Sequence, residues 1–211
     1  MKIFKLDYQK QFILFLTLSF VFSVQRIDLP PENFDNWIKL QSNHTWIGWT
    51  EYDGFPICKA VKTLPFNINN ISFYIEDKIN YSNIFERITQ VRLYEEDVIH
   101  IYLAMPFPIS SRDYIVKYEY IEKNNQKNYK FFSVDHPKTI EFNDAIRLPN
   151  AGGEWILNPL NANLTEVTYI WNGELLGDFP NWALTNAWKT QGTEVLDWLN
   201  SALKKITISE N

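Results

Sequence analysis

One cysteine, three histidines and no excess of positive charge set the first limits on this 211-residue chain. The lone Cys58 cannot close an internal disulfide, so the fold must stand on its core. The length suffices to bury a sizeable core, most simply as one domain. His44, His100 and His136 are scattered, with no H-x-x-x-H or C-x-x-C spacing, so no metal site and no cofactor are expected. His100, beside Tyr102, reads as an interior histidine rather than a base. No G-x-S-x-G elbow accompanies Ser110-Ser111, and the glycine pair of "NAGGEW" lacks the Gly-Lys-Ser of a phosphate-cradling loop. Repeats, linkers and low-complexity tracts are also missing after the first two dozen residues. The net charge of −5 argues against a nucleic-acid partner, whose backbone an acidic chain repels, and against tight docking on anionic lipid.

What the chain has in quantity is apolar and aromatic. It is 45% hydrophobic and 16% aromatic, with eight Trp and fifteen Phe, which implies either an aromatic core or a cavity lined with rings. Lys2, Lys5 and Lys10 precede the run "FILFLTLSFVFSV", Phe12 to Val24, which is shorter than the ~20 residues that span a bilayer. Basic residues before a short apolar run form the pattern of an export signal, with cleavage after Ser23; a retained N-terminal anchor is the alternative. No cysteine stands directly after the run, which leaves a bacterial lipid anchor there without support. Residues 1–23 are therefore expected to deliver the chain to a periplasmic or secreted location, and residues 24–211 to form the working domain. Removing 1–23 takes away three lysines and one aspartate and moves the net charge from −5 to −7.

Along the domain, "PPENFDNWIKLQ" spaces Phe34, Trp37, Ile38 and Gln41 as a short first helix. "TWIGWTEY" and "CKAVKTLP" alternate on either side of Asp53-Gly54, a hairpin signal. "NNISFYIEDKINYSNIFERI" predicts one or two short helices. Three strand pairs follow, turning at Glu95-Glu96-Asp97, at the Asn-rich "KNNQ" and within "NPLNANL", which suggests an antiparallel meander. From Asp178, a possible N-cap, and Pro180 onward, Leu184, Ala187, Trp188, Val195, Trp198, Leu199, Ala202 and Leu203 trace a long amphipathic helix. Gly192 inside it costs about 1 kcal/mol against Ala and suggests a bend. The order predicts an α+β fold in which a curved antiparallel sheet grips the C-terminal helix and leaves a cavity where the helix does not fill the concave face.

The stretch "MPFPISSRDYIVKYEY", residues 105–120, sets opposite charges side by side at a strand start. In an extended chain they face opposite ways: Arg112 goes with Tyr114, Val116, Tyr118 and Tyr120, and Asp113 with Ile115, Lys117 and Glu119. If the tyrosine face is concave, Arg112 sits at its rim or inside it.

This stretch resembles the Pro-x-x-x-Arg-Asp segment of the START family, the StAR-related lipid-transfer domains. "SVDHP" (133–137), "GGEWILNPL" (152–160) and "EVTYIWNGELLGDFPNWALTN" (166–186) are similar to later family stretches in the same order, from about Trp46 to Lys205. The resemblance implies a helix-grip fold with a hydrophobic tunnel gated by the C-terminal helix. It further implies a monomeric non-enzyme that holds one lipid or other hydrophobic molecule and touches membranes transiently. On it, the expected ligand-binding residues are Tyr102, Arg112, Tyr114, Tyr118, Tyr169, Trp171, Leu184, Trp188 and Val195. Arg112 and Asp113 match the family's strand-start pair, whose expected role is anchoring, with a head-group contact by Arg112 as the sharper reading. The family's sterol carriers place charged residues where this chain has uncharged ones near Tyr102 and Tyr118, so a sterol-specific pocket is not implied. Two alternatives stay open: a polyketide cyclase/aromatase-like enzyme on the same fold, and a ligand sensor without transfer activity.

Overall fold

The computed structural model describes residues 26–209; the expected signal or anchor at 1–23 lies outside them. Ten strands form one sheet: β1 (Ile38–Ser42), β2 (Trp46–Tyr52), β3 (Phe55–Leu64), β4 (Ile88–Glu95), β5 (Val98–Leu103), β6 (Ser111–Lys123), β7 (Gln126–Ser133), β8 (Ala145–Arg147), β9 (Gly152–Asn161) and β10 (Leu164–Asn172). Short helices α1 (Ile68–Glu76) and α2 (Tyr81–Ile84) carry the chain from β3 to the far edge, and α3 (Leu184–Ser209) ends it. The spatial order is β1-β2-β3-β10-β9-β7-β6-β5-β4. Every pairing on that path is antiparallel.

Turn chemistry explains the hairpins. Asp53 and Gly54 both take positive φ (49° and 80°), as do Asn124 and Asn125 (53° and 65°), the handedness that matches the twist of paired strands. At the start of α1, the Asn67 side chain accepts from the Asn69 amide at 2.8 Å.

Three expectations are corrected. The segment "PPENFDNWIKLQ" is not a helix: it turns at Glu32-Asn33 and continues into β1, which pairs with β2. Phe34 and Trp37 do not share a helical face but pack edge-on to one another, and Phe34 meets Tyr52 from the next strand. Tertiary pairing and ring contacts override the local spacing. The meander is also interrupted: between β7 and β9 the chain loops across the sheet and lays β8 parallel to β6. Finally, Asp178 does not cap α3. A 3₁₀ turn at Asn181–Ala183 leads into the helix, while Asp178 accepts from the Ser110 amide (2.9 Å) and hydroxyl (2.8 Å) and pairs with Arg112 at 3.1 Å.

Asp178 is one part of a larger anchorage. The Arg112 side chain is wholly buried. Its Nε donates to the Leu175 carbonyl and Nη2 to the Leu176 carbonyl, both at 2.7 Å, while Nη1 donates to the Ser110 carbonyl. Leu176 and Gly177 both have positive φ (50° and 57°). A leucine in that region is strained, and the Arg112 bonds hold the turn in place. One guanidinium thus ties the start of β6 to the loop that delivers α3.

Asp113 points the other way, as alternation requires. On the convex face its carboxylate meets His100 Nε2 at 2.6 Å and Arg147 Nε at 2.7 Å, and His100 Nδ1 lies 3.0 Å from the Tyr94 hydroxyl. The Tyr94 ring stacks on His136 with centroids 4.4 Å apart. Burial works against the charge of Asp113, but His100 and Arg147 outweigh it and hold the carboxyl below its ordinary range.

Two stability predictions follow from this pair. Arg112→Ala orphans three carbonyls and should lose about 3–5 kcal/mol, roughly 10 °C in Tm, by thermal denaturation. Asp113→Asn should lose about 3–5 kcal/mol at pH 7 by leaving Arg147 without its partner. A carboxyl depressed in the folded state stabilises above its unfolded pKa of about 3.9 and loses that contribution as pH falls through the lower folded value. Denaturation curves of the two proteins should therefore converge below about pH 4; a constant gap down to pH 3 would contradict the role assigned to Asp113.

Candidate functional site

The concave face is built by register. Ile101 pairs with Tyr114, Tyr118 with Phe131, Phe131 with Gly153, and Trp155 with Tyr169, so these side chains form continuous rows on one side of the sheet. The Phe131 ring needs the space over Gly153, where a Cβ would lie 2.5 Å from it and 2.1 Å from the Ile170 carbonyl. The rings meet in sequence: Tyr118 and Phe131 at 5.4 Å, Trp155 and Tyr169 at 4.4 Å, and Tyr169 stacked on Trp171 at 4.9 Å.

Helix α3 crosses this face off-centre, packing on β1, β2 and β3. Gly192 makes the approach possible: a Cβ there would lie 3.0 Å from Trp171, 3.1 Å from Ala60 and 3.2 Å from Ile47. The helix runs through Gly192 unbroken, so the residue serves close packing. On the same side, Trp188 sends its indole N–H to the Gly173 carbonyl at 2.8 Å and lies against Trp49. Lys62 pairs with Asp197, and Gln41 donates to the Thr193 hydroxyl at 3.3 Å.

Where α3 leaves the sheet, a cavity of about 350 Å³ remains. The sheet contributes Ile101, Leu103, Tyr114, Tyr118, Phe131 and Trp155 to its wall. From α3 come Ala187, Gln191, Glu194, Val195 and Trp198, recurring at helical spacing, and Leu175, Leu176 and Phe179 close it from the loop that Arg112 holds. Burial pushes the Tyr81, Tyr114, Tyr118 and Tyr169 hydroxyls well above the ordinary phenol range, with neighbouring tyrosines adding to the rise at Tyr81, Tyr118 and Tyr169. They stay protonated and offer neutral hydrogen-bonding groups. Arg87 and Glu194 form a bidentate pair in the wall, Nε to Oε2 at 2.6 Å and Nη2 to Oε1 at 2.8 Å, and this bond raises the Arg87 pKa further. The indole N–H of Trp171 is buried without an acceptor among the described residues.

Of the nine residues expected to bind ligand, the structure brings Tyr114, Tyr118, Tyr169, Trp171 and Val195 into the wall. The other four lie outside it. Tyr102 falls on the convex face, where its hydroxyl donates to Asp144 at 2.8 Å and its ring meets Phe142. Arg112 spends its donors on the backbone. Trp188 fills the contact between α3 and β2, and Leu184 packs into the same core. Sequence reasoning missed Arg87, Glu194 and Glu174, also in the wall, because residues far apart in sequence converge there. It also left the face of α3 unresolved, since Ala187 and Trp188 are both apolar and point to different places. Among the described residues no cluster of His, Cys, Asp or Glu has the arrangement of a metal site.

No family model matches the sequence. The chain is 29% identical over 103 residues to an uncharacterized protein of Pseudomonas aeruginosa, a match over 49% of this chain that spans about half (51%) of that relative's length. Solved structures align more fully. A STAR-related lipid transfer protein from Xanthomonas axonopodis superposes with a TM-score of 0.70 at 17% identity, covering 81% of this chain and 99% of that one. Human StAR-related lipid transfer protein 5 gives 0.73 at 14% identity, over 83% and 90%. The Zhui aromatase/cyclase from Streptomyces sp. R1128 gives 0.50 at 13% identity, over 71% and 93%. What these likenesses share with the strand order, the curved sheet and α3 is architecture: the chain has the helix-grip fold of the StAR-related lipid transfer domains.

Proposed function

We propose that this chain binds one hydrophobic molecule non-covalently in the cavity beneath α3 and carries it between membranes. The observation that carries the reading is the cavity itself, a void of about 350 Å³ walled by aromatic and aliphatic side chains. That volume lies at the low end of pockets that enclose a single drug-sized ligand, so the cargo is one acyl chain or one compact ring system. Each methylene removed from water is worth about 0.8 kcal/mol, so a ~16-carbon chain carries on the order of 13 kcal/mol, most of it a barrier to leaving a membrane unaided. A prebuilt apolar cavity offsets that barrier. Carriage without chemistry is favoured because the His100–Asp113–Arg147 cluster lies on the opposite face of the sheet from the cavity.

Phe107 and Trp182 support transient membrane contact. They are 98% and 82% exposed and adjoin Pro106 and Ala183 of the cavity wall. Export by residues 1–23 and action as a monomer outside the cytoplasm complete the proposal.

Native mass spectrometry of residues 24–211, purified without detergent, tests it. A discrete bound mass released by organic solvent is expected; an apo protein that takes up no hydrophobic probe would overturn the reading. Ala187→Trp, which projects an indole into the void, should keep its fold by circular dichroism and lose probe binding at least tenfold. The pair Phe107→Ser and Trp182→Ser should slow vesicle-to-vesicle transfer severalfold at unchanged equilibrium binding. A fall in binding itself would place these rings in the cavity rather than at a membrane.

A further inference from the structure

The charges in the cavity wall bear on the polar end of a ligand, an inference that rests on the carrier reading. Arg87 is the one lysine or arginine among the described residues of the wall. Both of its bonding directions toward Glu194 are used, each to a different carboxylate oxygen, so the pair is internally neutral. Glu174 remains. Its Oε2 accepts from the Asn150 side-chain amide at 3.2 Å and from that of Asn172 at 3.1 Å, and no cation pairs with it among the described residues. The Asn172 side chain also bonds the Asn150 carbonyl and the Glu174 amide, which fixes this carboxylate in the wall.

The nearby cations lie outside the cavity wall. Arg112 is enclosed by the Ser110, Leu175 and Leu176 carbonyls and by Asp178. Lys78 sits over the outer part of the site, its ammonium 4.9 Å from the centre of the Tyr118 ring, but it does not line the cavity. Glu76, Asp97 and Glu96 lend it negative charge from nearby. An anionic head group in the cavity would therefore meet an uncompensated carboxylate and no free cation among the described residues of the wall, and burying an unpaired charge is costly. A hydroxyl or an amine meets neutral tyrosine hydroxyls and an acceptor at Glu174.

We propose that the cavity selects a hydrophobic ligand with an uncharged or cationic, hydrogen-bond-donating polar end and discriminates against carboxylate and phosphate ends, with Glu174 as the selecting residue.

The test is displacement of Nile red, a neutral probe, from residues 24–211 by dodecanol, dodecylamine and laurate. Each is used at pH 7.5 and below its own aggregation concentration. Dodecanol and dodecylamine should displace the probe at least tenfold more effectively than laurate. Glu174→Gln, which keeps the side-chain shape, should shrink that gap severalfold by improving laurate. Arg87→Gln, which frees the Glu194 carboxylate, should widen it. Laurate competing as well as dodecanol would overturn the charge selection while leaving the carrier reading intact. No Nile red uptake and no displacement by any of the three would overturn both. A gap unaltered by Glu174→Gln, in a variant of unchanged Tm, would remove Glu174 from the role.

Discussion

The close contact between α3 and the β2–β3 half of the sheet is the constraint on which the site depends. A helix laid over a curved sheet has two options: to fill the concave face, or to lean against one side and leave the other open. Gly192 permits the second, because its missing side chain lets the helix backbone come down onto Ala60, Ile47 and Trp171. Trp188 then fills the wedge beside Trp49, with its indole N–H on the Gly173 carbonyl. A side chain at 173 would strike that indole at 2.6 Å and Cys58 at 2.8 Å, so a second glycine is needed for the same approach. With the helix held there, the aromatic rows of β6, β7 and β9 are not filled by its side chains, and the cavity is left between them and the Ala187–Val195 face of α3.

An empty apolar space of this kind costs stability, since its lining atoms lack the dispersion contacts that a filled core supplies. The chain compensates around the rim. Arg112 fixes the loop at 175–178 from below, the Arg87–Glu194 pair joins α3 to the chain just after α2, and Tyr74 donates to the Ala202 carbonyl farther along the helix. These restraints differ in kind. The Arg112 bonds are buried and hold a strained backbone turn, whereas the Arg87–Glu194 pair is partly exposed and lies in the cavity wall.

Much of the architecture was legible in the residues. Asp53-Gly54 and Asn124-Asn125 announce tight hairpins because few other residues tolerate positive φ, and the period-two pattern of "RDYIVKYEY" assigns Tyr114 and Tyr118 to one face correctly. What stayed hidden is what depends on distance in space. Period two says that Tyr102 and Ile101 face opposite ways, but not which of them faces inward. Pairing of β5 with β6 decides it, by setting Ile101 against Tyr114. In the first segment Phe34, Trp37, Ile38 and Gln41 have helical spacing, yet the edge of β2 takes Ile38–Ser42 as a partner strand. Arg87 and Glu194 stand 107 residues apart, and no local pattern joins them.

The adjacent Arg112 and Asp113 show how one dipeptide serves both sides of a sheet. Extended geometry sends their charges to opposite faces, and each is then neutralised by different means: Arg112 by carbonyl dipoles and one carboxylate, Asp113 by His100 and Arg147. The consequence for the cavity is indirect. Because Arg112 is consumed by the backbone, it adds no free positive charge to the concave side, and because Asp113 faces outward, its ionisable neighbours add none either. The wall is left with tyrosine and threonine hydroxyls, asparagine and glutamine amides, one closed ion pair and Glu174. Chemistry on a bound substrate calls for groups that gain or lose protons near neutrality. The tyrosines of this wall are driven away from that range by burial, and its arginine is locked further into its charged form by Glu194. A surface so arranged is suited to holding an apolar molecule and orienting its polar end, which is what the proposed function asks of it.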